Sequence, residues 1–265
     1  MTIITITTDF GLRDGYVGVM KGVIWGINPL VKIVDITHLI PPQNVELGGI
    51  ALQRATPFFP PGTVHLAVVD PGVGTNRRAM AAKIGQNWFV APDNGLLTRI
   101  VNEAQKKGEE VLFVELNKPE YWLGEISHVF HGRDIFAPVA AHLSAGVDIK
   151  MVGTPYYDPI LLSIPEPELM EDRIIGEVIS IDNFGNLATN IFSSHLSQYN
   201  QKFVIKVNGI IIPDFVQTFG NRPIDTLVGM IGTQSDFFIA SVNSNAQKKL
   251  NASIGNKVEI IFDKP

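Results

Sequence analysis

Residues able to do acid–base, binding or metal chemistry are concentrated in four short segments, each of which also contains glycine or an aromatic residue. The first segment is TDFGLRD, from Thr8 to Asp14. Asp9 would follow a strand directly, and its carboxylate could accept hydrogen bonds from the two hydroxyls of a ribose, because an ionised aspartate offers only acceptors. The same carboxylate could bind Mg²⁺. Asp14 could instead cap the helix predicted to follow it.

The second segment is VDPGVGTNRR, which contains Asp70 and the adjacent Arg77 and Arg78. Its glycines would allow backbone N–H groups to approach a ligand closely. The segment lacks the Lys-Ser/Thr pair of a P-loop, so it does not indicate a phosphate site. Adjacent arginines are typical of surface positions or ion pairs, and this is the interpretation for Arg78.

The third segment is FHGRDIF, in which His131 lies between an aromatic residue and a glycine. An ordinary histidine pKa of about 6.5 suits proton transfer near neutral pH, so His131 is a candidate acid or base. His128 has no such setting and is interpreted as structural. Asp134 could simply cap the next predicted helix.

The fourth segment is IDNFGN, from Ile181 to Asn186. Asp182 and Asn186 on either side of Phe184 could bond the polar edge of a base while the ring stacks on it. The same residue types are typical of a tight turn between strands, and the residues alone favour that interpretation.

A metal site receives little support from the sequence. Four aspartates near predicted element ends could take part in one: Asp9, Asp70, Asp93 and Asp134. The six histidines show no HxH or HExxH spacing, and the chain has no cysteine. We therefore predict no metal ligands.

Strands and helices alternate over the first 150 residues. The predicted strands are 2–8, 31–36, 63–69, 79–84, 88–91 and 110–116, and the predicted helices are 16–27, 44–55, 94–107 and 134–145. Such alternation is typical of an α/β domain with a mostly parallel sheet. Ligands bind at the carboxyl ends of the strands in these sheets, where Asp9 and Asp70 are expected.

The pattern changes after Gly153. Several prolines and the charged run 168–173 predict a linker at 156–173. Short strand-like runs separated by Gly and Asn turns follow, at 174–181, 202–207, 237–242 and 257–262. We therefore expect an α/β domain at 1–155 and a smaller all-β barrel domain at 174–265.

Composition excludes several classes of protein. The 265 residues are 45% hydrophobic and 18% charged, unlike a disordered chain. The net charge of −5 and the absence of a basic stripe argue against nucleic acid as a partner. No signal-peptide pattern and no apolar run of about 20 residues occurs, so we expect a cytoplasmic protein with no membrane partner.

Five motifs together resemble the S-adenosyl-L-methionine hydroxide adenosyltransferases, which are related to fluorinases and chlorinases. They are TDFGLRDGYVGVMKG, VVDPGVGTNRR, APDNGLL, FHGRDIFAPVAA and IDNFGNLATN, and they follow the family's order over nearly the whole chain. The resemblance implies hydrolysis of S-adenosyl-L-methionine to adenosine and methionine, with no cofactor and no metal. It also implies a homotrimer, with each site between the N-terminal domain of one subunit and the C-terminal domain of its neighbour.

The resemblance assigns roles motif by motif. Asp70, Arg77 and His131 match the set that places and activates water in the hydrolases, with Arg77 preferred to Arg78 by its position in the motif. Asp9 matches the carboxylate that holds the ribose hydroxyls. The other implied substrate-binding residues are Asp14, Tyr16, Phe130, Asp182, Phe184 and Asn186.

Within that second set, Asp14 and Tyr16 match contacts to the methionine end, and Phe130 matches the lining of the adenosyl pocket. The fourth segment matches the contribution of the neighbouring subunit, in which Asp182 would bind the amino group of methionine and Asn186 the adenine.

Three other functions remain open at this point. A non-catalytic sensor of S-adenosylmethionine or adenosine would use the same pocket, and a halide could replace water as the nucleophile. The halogenases lack the Asp-Arg-His set and carry a hydroxyl residue where this chain has Gly132, which favours water. A metal-dependent nucleotide hydrolase using Asp9, Asp70 and Asp134 is the third alternative.

Overall fold

The computed structural model describes residues 2–199 and 201–263. The chain divides into two compact units between Leu162 and Ser163. The domain bounds 1–155 and 174–265 and the linker 156–173 stay predictions, and residues 1 and 264–265 at their outer ends lie outside the described residues. No helix within the described residues is long and apolar enough to cross a membrane.

The N-terminal unit is built on a seven-stranded mixed sheet. Its strands are β1 (Ile3–Thr8), β2 (Lys32–Thr37), β3 (Val64–Val68), β4 (Ala79–Ile84), β5 (Asn87–Pro92), β6 (Val111–Glu115) and β7 (Thr154–Tyr156). The order is β2-β1-β3-β5-β4-β6-β7, with the first four strands parallel and the last three paired antiparallel. The α/β class is confirmed, and the parallel half carries the ends of β1 and β3.

Helices cover both faces of this sheet. They are α1 (Tyr16–Ile27), α2 (Val45–Ala55), α3 (Thr98–Lys107) and α4 (Ala137–Ser144). Ile4 and Ile6 point into a core shared with α1 and α4, while a second core joins the opposite face to α2 and α3. Burial on both faces is the reason that β3 is apolar apart from His65.

In place of the single helix predicted at 134–145, the structure has two consecutive helical elements. Residues Gly132–Phe136 form a π-helical turn, and α4 begins only at Ala137. Pro138 has no N–H to donate to the carbonyl of Asp134, which accepts from the Leu123 N–H instead, at 2.9 Å. The proline thus explains why the regular helix starts late.

The helix predicted at 94–107 also starts late, at Thr98. Gly95 adopts a φ of +93°, which is incompatible with helix, so residues 94–97 form a turn that leads into α3.

The C-terminal unit is a nearly closed antiparallel barrel. Its strands are β8 (Glu168–Leu169), β9 (Arg173–Ile181), β10 (Leu187–Phe192), β11 (Phe203–Val207), β12 (Ile210–Ile212), β13 (Leu227–Ile231), β14 (Asp236–Ser241) and β15 (Lys257–Phe262). The order is β12-β11-β15-β9-β10-β14-β13, with β8 beside β9. A bridge between Phe215 and Gly229 brings the chain after β12 against β13, and the predicted all-β barrel is confirmed.

Sequence analysis missed several short elements of this unit. They are β8, β10, β12, β13 and the helices α5 (Ser193–Leu196) and α6 (Ala246–Leu250). The strand β10 has the sequence LATNIF, whose polar Thr189 and Asn190 are both buried. Thr189 donates to the carbonyl of Phe237 and Asn190 to that of Pro165, so tertiary hydrogen bonds make these polar residues compatible with a buried strand.

Candidate active site

A cleft of about 570 Å³ lies at the carboxyl ends of β1 and β3. Its walls include Asp9, Tyr16, Gln43, Asp70, Phe130 and His131. The structure therefore brings the first three polar segments of the sequence to one place within the N-terminal unit.

Arg77 joins two of these segments. Its Nε donates to both carboxylate oxygens of Asp70, at 2.9 and 3.0 Å, and its Nη2 donates to Asp70 Oδ2 as well. The same Nη2 lies 3.0 Å from Nδ1 of His131. The side chains of Asp70 and Arg77 are almost fully buried, so this ion pair is well shielded from water.

The partner of His131 determines its tautomer. Arginine has only donors, so Nδ1 of His131 must accept and the ring proton must lie on Nε2. Burial is the main effect that lowers the pKa of His131 below its ordinary value of 6.5, and the charge of Arg77 lowers it further against the opposing effect of Asp70. His131 is therefore a neutral imidazole near pH 7, with a donor at Nε2.

Arg78 makes a different set of contacts from its neighbour. Its guanidinium donates to Asp93 at 3.0 Å and to Asp158 at 2.8 Å, and it lies 4.4 Å from the centre of the Tyr156 ring. Asp93 is completely buried and also accepts from the Ile160 N–H. These contacts secure the chain after β7, and they include ion pairs of the kind predicted for Arg78.

The loop 70–77 lies directly against the segment before His131, and a buried carboxylate secures that segment. Gly74 has a φ of +76°, and a Cβ at this position would lie 2.2 Å from the carbonyl oxygen of His128. Asp134 is completely buried and accepts from the Ser127 N–H at 2.8 Å and from Arg133 at 2.5 Å. Asp134 thus stabilises the loop before His131 by hydrogen bonding. It does not cap α4, whose N-terminus has no side-chain cap.

Asp9 is half-buried at the end of β1, and its Oδ2 accepts from the backbone N–H of Gln43 at 2.7 Å. Gln43 has a φ of +65°, a left-handed conformation that is unfavourable for glutamine. Sequence analysis did not identify Gln43, because no residue pattern marks this backbone contact.

An aromatic cluster lines the cleft beside Asp9. The rings of Phe10, Tyr16 and Phe130 meet edge to face, with centroids 5.2 to 6.0 Å apart. Asp14 lies nearby along the chain but does not cap α1, whose N-cap residue is Gly15 without a side-chain hydrogen bond. The capping alternative for Asp14 is therefore wrong.

The fourth segment belongs to the C-terminal unit and forms a tight turn. Asp182 Oδ1 accepts from the N–H groups of Phe184 and Asn186, both at 2.9 Å, and Oδ2 accepts from the side-chain amide of Asn186 at 2.8 Å. Gly185 supports the turn with a φ of +83°. The ring of Phe184 is 73% exposed, which leaves its face open to a partner.

Residues 2–199 and 201–263 contain no group of three or more His, Asp or Glu side chains placed to hold a metal ion. Asp9, Asp70, Asp93 and Asp134 each have separate protein partners.

An α/β unit with this cleft, followed by a β-barrel unit, agrees with the class of adenosyl-transferring enzymes that the motifs resemble. The chain belongs to the S-adenosyl-L-methionine hydroxide adenosyltransferase family. The model of the family's N-terminal domain matches residues 4–153, and that of its C-terminal domain matches residues 176–259.

Several known proteins are similar over most of the chain. An (R)-S-adenosyl-L-methionine hydrolase of Salinispora tropica is 36% identical over 97% of both chains, and one of Methanocaldococcus jannaschii is 34% identical over 99% of this chain and 97% of its own. A fluorinase of Nocardia brasiliensis is 30% identical over 79% of both. A solved structure from Thermotoga maritima, described as an uncharacterized conserved protein, superposes with a TM-score of 0.89, 38% identity and coverage of 97% and 99%.

Proposed function

We propose that this chain hydrolyses S-adenosyl-L-methionine to adenosine and L-methionine by attack of water on the ribose C5′. The observation that carries the proposal is the Asp70–Arg77–His131 cluster, whose Asp70 and His131 line the cleft together with Asp9. The names of the relatives in Salinispora and Methanocaldococcus support the same reaction.

The chemistry of the substrate agrees with this set of residues. The oxygen of one water forms a bond to C5′ while the C5′–S bond breaks. The electron pair of the broken bond stays on sulfur, which becomes the neutral thioether of methionine. One proton of the water is released, so the products are adenosine, methionine and a proton. A positively charged sulfonium is a good leaving group and needs no general acid; the step needs an aligned, poorly solvated nucleophile.

Within the cluster, His131 and Arg77 would orient and polarise that water. The Nε2–H of neutral His131 is a donor that can hold the water oxygen. The positive charge of Arg77 lowers the free-energy cost of losing a proton from that water, which gives the oxygen hydroxide character. Asp70 holds Arg77 in place through both of its oxygens.

The substrate would be held by the remaining residues of the motifs. Asp9 would accept from the ribose hydroxyls, Phe130 would line the adenosyl pocket, and Asp14 and Tyr16 would contact the methionine end. We propose no cofactor and no resident metal for the reaction, and a cytoplasmic location stays a prediction.

A homotrimer would supply the remaining contacts, with Asp182, Phe184 and Asn186 of one subunit completing the site of its neighbour. The exposed ring of Phe184 supports this proposal. The outer face of α1 also supports association between copies, since Val19 and Trp25 are exposed there and a Cβ at Gly22 would meet no atom within 4 Å.

Incubation with S-adenosyl-L-methionine in H₂¹⁸O, with and without EDTA and chloride, tests the proposal by mass spectrometry. We expect adenosine with ¹⁸O at C5′ and equal rates with and without EDTA. Chlorinated adenosine would identify a halide-using enzyme, and loss of activity with EDTA would identify a metal-dependent one. Tight binding of intact substrate without turnover would favour a sensor.

A further inference from the structure

A buried threonine–histidine pair lies next to the loop that carries Asp9. Thr8 Oγ1 and His38 Nδ1 are 2.8 Å apart, and both residues are buried. The hydroxyl oxygen of Thr8 also accepts from the N–H of Phe10 at 3.2 Å, while the carbonyl of His38 accepts from the N–H of Gly11 at 2.8 Å. His38 is therefore connected to the backbone on both sides of Asp9.

The direction of these hydrogen bonds follows from the far side of the His38 ring. Nε2 lies 3.1 Å from Oδ1 of Asp35 without the geometry of a hydrogen bond, and a carboxylate at this distance favours the tautomer with the ring proton on Nε2. Nδ1 must then accept from the hydroxyl of Thr8, which leaves the hydroxyl oxygen to accept from Phe10. The hydrogen bonds therefore run in one direction from the Phe10 N–H through Thr8 to the His38 ring, whose Nε2 faces Asp35.

The ionised state of Asp35 favours this tautomer of His38. Burial raises the pKa of Asp35, but the interactions with Lys21 and His38 outweigh burial and bring the pKa below its ordinary value. The ammonium of Lys21 lies 2.6 Å from Oδ2 of Asp35.

We propose that His38 is a positioning residue for ribose recognition, acting through Thr8 on the backbone of residues 9–11. The N–H of Gln43 holds one oxygen of Asp9 from the opposite side, so the carboxylate is fixed both through its own backbone and through a direct contact. This inference rests on the proposed binding of the ribose hydroxyls by Asp9. Such support matters because a diol is bound well only when both acceptor oxygens have the correct direction.

The chain contains a matched internal control on the same strand. Thr5 Oγ1 and His65 Nδ1 are also 2.8 Å apart and fully buried, but this pair joins β1 to β3 and makes no hydrogen bond to the loop 9–11. Thr5→Val and Thr8→Val therefore remove the same kind of hydrogen bond, three residues apart, and only the second connects to Asp9.

Calorimetric titration of the full chain with adenosine and with 2′-deoxyadenosine tests the inference. The quantity measured is the ratio of the two dissociation constants, which reports recognition of the hydroxyl and not general stability. We expect Thr8→Val to reduce the preference for adenosine by about fivefold and Thr8→Ser to retain that preference. Thr5→Val should lower the melting temperature but leave the preference for adenosine unchanged.

Two His38 variants give a second measurement that does not depend on the folding of Thr8→Val. His38→Asn keeps an acceptor near the position of Nδ1 and should retain the preference, whereas His38→Gln places its polar group near Nε2 and should reduce it. If the ratio of the two dissociation constants is the same in wild type and in Asp9→Asn, the proposed role of Asp9 is wrong. If Asp9→Asn loses the preference but Thr8→Val and His38→Gln keep it, the positioning role of His38 is overturned.

Discussion

At the scale of single residues, Arg77 organises the candidate site, because its one guanidinium donates to an aspartate seven positions away and to a histidine 54 positions away. The planar fork of arginine allows this double contact, which the point charge of lysine would not reproduce. The result is a histidine whose tautomer is determined by Arg77 and whose pKa is lowered mainly by burial and further by the charge of Arg77.

Removal of either partner of Arg77 should stop the reaction while binding persists. We expect Asp70→Ala and His131→Ala each to lower kcat by about 100-fold or more, with little change in the affinity for S-adenosyl-L-methionine. Single-turnover kinetics and equilibrium binding measure the two quantities separately. His128→Ala, at an exposed neighbouring histidine, is the control, and wild-type turnover in either site variant would refute the role of that residue.

The charge state of His131 can be followed directly by NMR titration. Because burial and Arg77 lower its pKa, we expect a midpoint below 6.5, so that the ring stays neutral as the pH falls through that value. The Asp70 charge opposes this shift, so the midpoint should fall further in Asp70→Asn. A His131 signal that titrates above pH 6.5 would be incompatible with the contact to Arg77.

At the scale of elements, the site depends on a close approach between the loop 70–77 and the segment before the π-helical turn. The Gly74 backbone lies close to the His128 carbonyl, and buried Asp134 accepts a hydrogen bond from the Ser127 N–H. The strands that carry Asp9 and Asp70 are in turn joined by the buried pair Thr5–His65.

Substitution at Gly74 should separate these two segments. Gly74→Ala adds a positive-φ penalty and a backbone clash, so we expect turnover to fall at least about tenfold. Gly108→Ala is the matched control, since Gly108 has a φ of +68° and open space around its missing Cβ. It should cost about 1 kcal/mol of stability and leave kcat unchanged. Equal kinetics in the two variants would show that the close approach is dispensable.

The buried ring of His65 should make stability depend on pH. Burial lowers the pKa of His65 to about 4. Between pH 6.5 and 4 the histidine is therefore mostly protonated in the unfolded chain and mostly neutral in the folded protein. Its stabilising contribution is complete above pH 6.5 and is lost as the pH falls through that window, by about 3 kcal/mol.

Urea denaturation at pH 7 and pH 4 tests this expectation against His65→Asn, which keeps an acceptor for Thr5 but does not titrate. We expect wild type to lose about 3 kcal/mol more unfolding free energy than the variant over this range. Identical losses would mean that His65 takes up its proton in the folded state as easily as in the unfolded chain.

At the scale of the whole molecule, the candidate residues are divided between an α/β unit and a β-barrel unit. Asp9, Asp70 and His131 line the cleft of the first unit, where Arg77 joins Asp70 to His131, while the turn 182–186 belongs to the second unit. In the homotrimer proposed above, the second group would complete the cleft of a neighbouring copy.

Co-expression of two inactive variants tests whether sites are shared between subunits. His131→Ala and Asp182→Ala chains that assort randomly should regain about a quarter of wild-type activity, because one interface in four then combines an intact cleft with an intact turn. Each variant alone is the control. A mixture no more active than the separate variants would mean that each site is complete within one chain.

Much of the fold could be predicted because its signals are local. Neighbouring residues alone indicate the alternating Ile and Thr of β1, the largely apolar run of β3 and the helical period of Tyr16–Ile27. The two strands place Asp9 and Asp70 at strand ends. The motifs added the family, which the comparisons confirm. The late start of α4 was not anticipated, although Pro138 is its cause.

The family resemblance implied the Asp70–Arg77–His131 set, but only the tertiary structure decided the individual contacts between polar groups of the site. Nothing in the pattern of adjacent arginines states that Arg77 contacts His131 while Arg78 contacts Asp93, and nothing marks the Gln43 backbone as a partner of Asp9. Local sequence determines elements because propensity and periodicity act between near neighbours. The contacts of the site depend on how strands and loops far apart in the chain pack together, and only the folded molecule specifies that arrangement.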